Sequence, residues 1–220
     1  MIKAILFDLN GTMIDDMEYH AKAWSDILNN DLKANLSIEE VKKEMYGKNE
    51  EVLVRVFGDK KFTKEKMNDI SVEKEKRYQK EFFPHLKLID GLDEFLKEAA
   101  SRNIKLAIAS AAIPANIDFV LDNLKIRDLF GAVVSADDVE TSKPHPETFL
   151  KAAELLHIEP KDCIVFEDAP KGAEAALNAG MPAAVLTTMN KKEEFDKYTN
   201  IVAFVKDYKD PFFKQLLQEK

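Results

Sequence analysis

The chain has 220 residues, 45% of them hydrophobic and 33% charged, with a formal net charge of −8. That length suits one α/β domain or a core domain with a small insertion, and the acidic balance argues against nucleic acid or an anionic membrane as the main partner. The single cysteine, Cys163, excludes an intramolecular disulfide framework, no apolar run approaches membrane-spanning length, and the apolar stretch within Met1 to Asp8 is too short for a secretory signal; a cytoplasmic, monomeric enzyme is the expectation.

Ile2 to Phe7 is a short apolar run that ends in Asp8-Leu9-Asn10-Gly11-Thr12, which predicts a buried strand and then a loop. A long stretch without strand signal follows. Met17, Ala21, Trp24 and Leu28 make one helical stripe, Ser37 with Glu40 predicts a capping box, and the charge-rich Lys64 to Lys80 predicts a further helix. Pro84 disfavours helix at the preceding Phe83, so Glu81 to His85 reads as a return hinge. Beyond it, apolar runs at Lys105–Ala109, Ala132–Ser135, Cys163–Phe166, Ala183–Leu186 and, more weakly, Ile201–Val205 alternate with helical patterns at Gly91–Arg102, Glu147–His157 and Gly172–Ala179. Pro170 and Gly180 read as the start and the stop of that last helix. Alternation of this kind predicts a parallel, Rossmann-like α/β sheet covered on both faces. The expected division is a core of residues 1–14 and 86–220 with a helical domain, 15–85, inserted after the first strand.

Ligands of open α/β sheets sit beyond the carboxyl ends of the strands. The polar residues there are Asp8, Asn10, Gly11 and Thr12 after the first strand, Ser110 after the second core strand, Lys143 some way past the third, and Glu167 and Asp168 after the fourth. Carboxylates, a hydroxyl and an ammonium gathered on one edge are what Mg²⁺ and a phosphoryl group need: hard oxygens for the ion, and donors for the transferring oxygens. Cys163, within a strand, reads as inert core.

These segments resemble a known family. Phe7-Asp8-Leu9-Asn10-Gly11-Thr12, Ile108-Ala109-Ser110, Lys143-Pro144 and Glu167-Asp168 are similar, in order and spacing, to the four motifs of the haloacid dehalogenase superfamily. Asp15, Glu18-Tyr19-His20 and Ala23-Trp24 suit the first cap helix of its β-phosphoglucomutase-like subfamily. The resemblance implies Asp8 as the nucleophile that forms an aspartyl-phosphate. It implies Mg²⁺ held by Asp8, the main-chain carbonyl of Asn10 and Asp168, with Glu167 in support. Ser110 and Lys143 would bind phosphoryl oxygens, Thr12 would hydrogen-bond near the nucleophile, and the helical insert would act as a mobile cap. Asp15, His20, Gly47 and Lys48 are the substrate-side candidates from the insert, Asp15 being equally suited to cap a helix and His20 to pack its interior.

Two departures matter. The family's phosphatases and mutases carry a second Asp two residues after the nucleophile, as proton donor and then base; Asn10 stands there, and an amide exchanges no proton near neutral pH. The mutase grip on a second phosphate uses an Arg shortly after a cap glycine and a Lys after the motif-two serine. Here the sequences are Gly47-Lys48-Asn49-Glu50 and Ala111-Ala112-Ile113. The reading is therefore a Mg²⁺-dependent phosphatase of a small phosphorylated metabolite. Its alternatives are β-phosphoglucomutase-like transfer and a weakly active protein that binds Mg²⁺ and phosphate.

Overall fold

The computed structural model describes residues 2–218. In chain order the elements are β1 (Ala4–Phe7), α1 (Met17–Ser25), α2 (Ile38–Glu44), α3 (Asn49–Phe57), α4 (Lys64–Phe82), α5 (Leu92–Ser101), β2 (Lys105–Ala109), α6 (Pro114–Leu124), β3 (Ala132–Val134), α7 (Glu147–Leu156), β4 (Cys163–Glu167), α8 (Pro170–Asn178), β5 (Ala183–Leu186), β6 (Ile201–Val205) and α9 (Pro211–Gln218). The described residues up to Asp15, together with those from Lys87 onward, form one compact unit; Asp16–Leu86 forms the other.

The first unit is built on a six-stranded sheet of order β3-β2-β1-β4-β5-β6, parallel throughout. β1 and β4 are buried along their whole lengths, which is why Ala4-Ile5-Leu6-Phe7 and Cys163-Ile164-Val165-Phe166 read as unbroken apolar runs rather than alternating ones. Alternate residues still serve opposite faces. Ala4 and Leu6 join Ala107, Val134, Phe149, Ala153 and Ala176 on one side, where small residues let α7 and α8 approach the sheet closely. Phe7 faces the other side and meets the Phe166 ring edge-on at 5.1 Å, within an aromatic layer that includes Phe95, Tyr208 and Phe213. Such edge-to-face pairs add about 0.5–1.5 kcal/mol beyond the area they bury. Strand order reverses direction between β1 and β4, so the carboxyl ends of these two neighbours flank the topological switch point, the usual binding crevice of such sheets.

The second unit is helical. Trp24, Leu28, Val41, Leu53 and Ile70 form its apolar centre. The predicted capping box is present, Ser37 Oγ accepting from the Glu40 N–H and Glu40 accepting from the Ser37 N–H. The stripe from Met17 does not run on as one α-helix: after Ser25 the chain widens into a π-helical turn over Asp26–Asp31, and Asn29 then ties both main-chain groups of Leu36. The helix predicted over Lys64 to Lys80 runs two residues further, through Phe82, and the expected hinge is a 3₁₀ turn, Phe83–His85, with Pro84 inside it. Helix α3 was hidden in the sequence because Lys48 gives no side-chain cap signal there.

Asp16, His20, Ser71, Lys74 and Glu75 are buried within this unit. His20 stacks on Tyr78 with ring centroids 3.7 Å apart, its Nδ1 lies 2.7 Å from Lys74 Nζ, and its Nε2 lies 3.3 Å from Asp16. Asp16 accepts the Tyr78 hydroxyl, and Lys74 pairs with Glu75 at 3.0 Å. Burial pushes the Lys74 amine below the ordinary lysine range, against the pull of Glu75.

Candidate active site

β1 ends at Phe7, and Asp8 continues its ladder by donating its N–H to the Phe166 carbonyl, 2.9 Å. The chain then turns sharply: Leu9 O accepts from Thr12, Met13 and Ile14, and Gly11 takes φ +71°, a left-handed conformation that a β-branched or bulky residue would resist. The Asp8 carboxylate is buried at the switch point. Lys143 Nζ sits 2.7 Å from Asp8 Oδ1 and 2.7 Å from Glu167 Oε1, bridging the loop after β1 to the end of β4. Ser110, at the end of β2, adds a side-chain hydrogen bond to Asp8, and its Oγ accepts the Ala112 N–H. Four segments far apart in sequence thus meet at one sheet edge.

The charges explain the electrostatics. Burial pushes the Asp8 carboxyl up to about 6; Lys143 pulls it back down, and Glu167 pushes it up again. For Lys143, burial alone would lower the amine, but the two carboxylates more than reverse that and hold it charged. The Tyr208 phenol is raised well above its usual range by burial and then by the charges of Asp8 and Asp168.

Glu167 Oε1 takes Lys143, and its Oε2 accepts the N–H groups of Asp168 and Ala169 at 2.8 Å each, just ahead of α8. Glu167 thus braces Lys143, and that contact holds whether or not it also supports the ion as expected. Thr12 is corrected: its side chain is fully buried, and its Oγ1 makes no hydrogen bond among the described residues; its main-chain carbonyl instead accepts the Tyr208 hydroxyl. Asn10 is half-buried in an isolated bridge with Ile14. Asp15 is exposed and does not cap α1, whose N-cap position is Asp16. His20 lies in the interior of the helical unit with its ring nitrogens against Lys74 and Asp16, which fits packing rather than an open substrate surface. Gly47 adopts φ +73°, and Lys48 is the N-cap residue of α3. The loop they occupy is fastened by Arg55, which lies 3.7 Å over the Tyr46 ring and donates to the carbonyls of Glu44 and Tyr46.

No group of three or more His, Cys, Asp or Glu side chains gathers as a metal cluster among the described residues. The implied donor set is smaller: Asp8, Asp168 and one main-chain carbonyl. Such a set fits Mg²⁺, which takes one or two carboxylates and fills its octahedron with waters and substrate phosphate oxygens.

Gly172 is invisible in a motif search yet decides the brace. A Cβ built on it would lie 1.8 Å from Glu167 Cδ and Oε1. Gly→Ala inside a helix ordinarily gains about 1 kcal/mol. Here the Glu167 carboxylate would have to leave Lys143 and two N–H groups, and disrupting a buried pair costs about 3–5 kcal/mol. Gly172→Ala is therefore expected to destabilise the chain by roughly 2–4 kcal/mol, read from the shift in urea midpoint, and to remove most activity. A neutral or stabilised variant would show that Glu167 can be placed elsewhere at no cost.

Comparison with known proteins agrees with this geometry. Residues 5–186 match the family model of haloacid dehalogenase-like hydrolases. The chain is 32% identical over 186 residues to β-phosphoglucomutase of Bacillus subtilis, covering 82% of this chain and 81% of that one. It is 28% identical to fructose-1-phosphate phosphatase YqaB of Escherichia coli, over 81% of this chain and 93% of that protein. Among solved structures, β-phosphoglucomutase of Clostridium difficile superposes with a TM-score of 0.83 at 28% identity, covering 99% and 98% of the two chains. The match begins within β1 and runs through β5, and the chain belongs to the haloacid dehalogenase-like hydrolases, in their β-phosphoglucomutase-like branch.

Proposed function

We propose that this chain is a Mg²⁺-dependent phosphoric monoester hydrolase that acts on a small, sugar-phosphate-like metabolite through an aspartyl-phosphate at Asp8. The observation that carries the reading is the buried Asp8 carboxylate at the switch point, bonded to a Lys143 that is itself locked by Glu167. One Asp8 oxygen attacks phosphorus, and the bond from phosphorus to the ester oxygen breaks. The leaving alkoxide takes a proton from solvent or substrate, because Asn10 has none to give. Water then attacks the acyl phosphate, the bond from phosphorus to Asp8 breaks, and orthophosphate departs. Lys143 and Ser110 offset charge on the phosphoryl oxygens, in a site where low polarity makes each such contact worth more than in water. Mg²⁺, held by Asp8, Asp168 and the Asn10 carbonyl, supplies Lewis-acid stabilisation of those oxygens.

Hydrolysis is preferred over transfer between two sugar phosphates because Ala111-Ala112-Ile113 follows Ser110, with no cation to grip a second phosphate. Arg55 does not replace one, its guanidinium being committed to the Glu44–Tyr46 loop. A panel of phosphate esters tests the reading. Hydrolysis of small sugar or polyol phosphates is expected with Mg²⁺, lost in chelator and restored by Mg²⁺, with no efficient interconversion of glucose 1- and 6-phosphates. Undiminished turnover after exhaustive chelation would overturn the metal assignment. Efficient interconversion would favour the mutase, and Mg²⁺ binding with no turnover at all would favour a binding protein.

A further inference from the structure

The loops that follow β5 and β6 carry none of the four motifs, yet three of their side chains reach the motif loops. Thr188 Oγ1 donates to the Gly11 carbonyl at 2.6 Å, Asn190 Nδ2 donates to the Asp168 carbonyl at 3.0 Å, and the Tyr208 hydroxyl donates to the Thr12 carbonyl at 3.0 Å. We propose that the loop after β5 is a strap that positions the Mg²⁺ donors, with Thr188 and Asn190 as its positioning residues. This rests on the reading of Asp8, the Asn10 carbonyl and Asp168 as the ion's donors.

The argument is one of constraint. Two of the three implied donors sit in loops, beyond the ladder that holds β1 and β4 in register. A main-chain carbonyl can serve Mg²⁺ only if its peptide unit is held still, because the ion demands near-ideal octahedral geometry and tolerates little displacement. The residue after Asn10 is Gly11, at positive φ, which by itself is the least restrained residue type in the chain. Thr188 removes that freedom by tying the Gly11 carbonyl. Asn190, two residues further along the same loop, ties the carbonyl of Asp168 itself. One short segment therefore holds both donor loops and sets their separation. Tyr208 adds a third tie that is anchored independently: its N–H donates to the Asp90 carbonyl, and Gly91, at φ +86°, admits the Tyr208 main chain to within 2.8 Å of where a Cβ would stand. Thr188 and Asn190 are only half-buried and lie outside the aromatic layer, so their bonds are not demanded by core packing.

Thr188→Val keeps the shape and removes the donor. The variant is expected to unfold at nearly the unsubstituted midpoint and to need ~10-fold or more Mg²⁺ for half-maximal activity, with kcat at saturating Mg²⁺ changed much less, in line with what losing a partner that orients a ligand costs in metal affinity. Calorimetric titration with Mg²⁺ alone, without substrate, should show affinity falling by the same factor. Thr188→Ser should restore both, and Asn190→Ala should reproduce the loss. If the unsubstituted chain binds no Mg²⁺, the underlying metal assignment fails. If it binds Mg²⁺ and folded Thr188→Val binds it equally well, the strap alone fails; failure of Thr188→Ser to recover affinity would also overturn it.

Discussion

Asp8→Ala is expected to leave a folded chain that hydrolyses no phosphate ester. Removing a covalent nucleophile from another hydrolase costs on the order of a million-fold in kcat, and no neighbouring carboxylate here can take over: Glu167 has both oxygens engaged by Lys143 and two N–H groups. The fold should survive for an electrostatic reason. Breaking a buried ion pair costs about 3–5 kcal/mol when the partner is left uncompensated. Lys143 keeps its 2.7 Å contact with Glu167. Burial also raises the Asp8 carboxyl to about 6, so ionised Asp8 is itself an expensive group to hold there. The loss should therefore be smaller, roughly 1–2 kcal/mol. Turnover of purified, folded Asp8→Ala, checked by circular dichroism and urea unfolding, decides the assignment: hydrolysis near the unsubstituted rate would remove Asp8 from the chemistry.

Asn10→Asp should do the reverse and raise turnover by at least ~10-fold, general acid–base catalysis being worth roughly 10²- to 10⁴-fold. The alkoxide needs a proton as it departs, and the incoming water needs a base. An Asp serves both in turn, because the first step leaves it ready for the second. Asn10 serves neither, but it fills the same volume and keeps the main-chain carbonyl. The gain should be largest on sugar phosphates and smallest on aryl phosphates, whose leaving groups need no proton. In the unsubstituted chain supplied with an aryl phosphate, whose first step needs no proton, the phosphorylated Asp8 should accumulate because water still lacks its base, detectable as added mass in rapidly quenched samples. An unchanged rate on sugar phosphates would mean that some other group moves the proton.

The strands and four motif segments were legible in the sequence because both depend on local pattern. Strands buried on both faces are short apolar runs, and β2, β5 and β6 fall on the expected residues. Asp8, Ser110 and Lys143 converge because parallel strands deliver their carboxyl ends to one edge, whatever lies between them. What stayed hidden depends on contacts between side chains and main chain across the fold. Glu167, a carboxylate beside Asp168, has no sequence mark that says it will face Lys143 and two N–H groups. Gly172 looked like an ordinary helical glycine until the carboxylate packed against it. Thr188 and Asn190 act on carbonyls, which carry no sequence signal at all. Lys74 lies in the charge-rich helix and no sequence mark singles it out, yet it is 2% exposed, since one face of α4 turns inward onto His20 and Trp24.

The central place of β1 also governs how the chain can assemble. Its neighbours in the sheet are β2 and β4, so its four apolar residues wait for partners that lie beyond the whole helical unit. At ribosomal rates of about 5–20 residues per second, the interval from Phe7 to Ala109 lasts roughly 5–20 s. Throughout it, Ala4-Ile5-Leu6-Phe7 is an unpaired strand with both edges bare. Asp16–Leu86, a contiguous segment, has all its own contacts available well before that wait ends. Substitutions that delay β2 or weaken its pairing with β1 should then be felt as lost soluble yield on expression, while the molecules that do mature retain full activity per site.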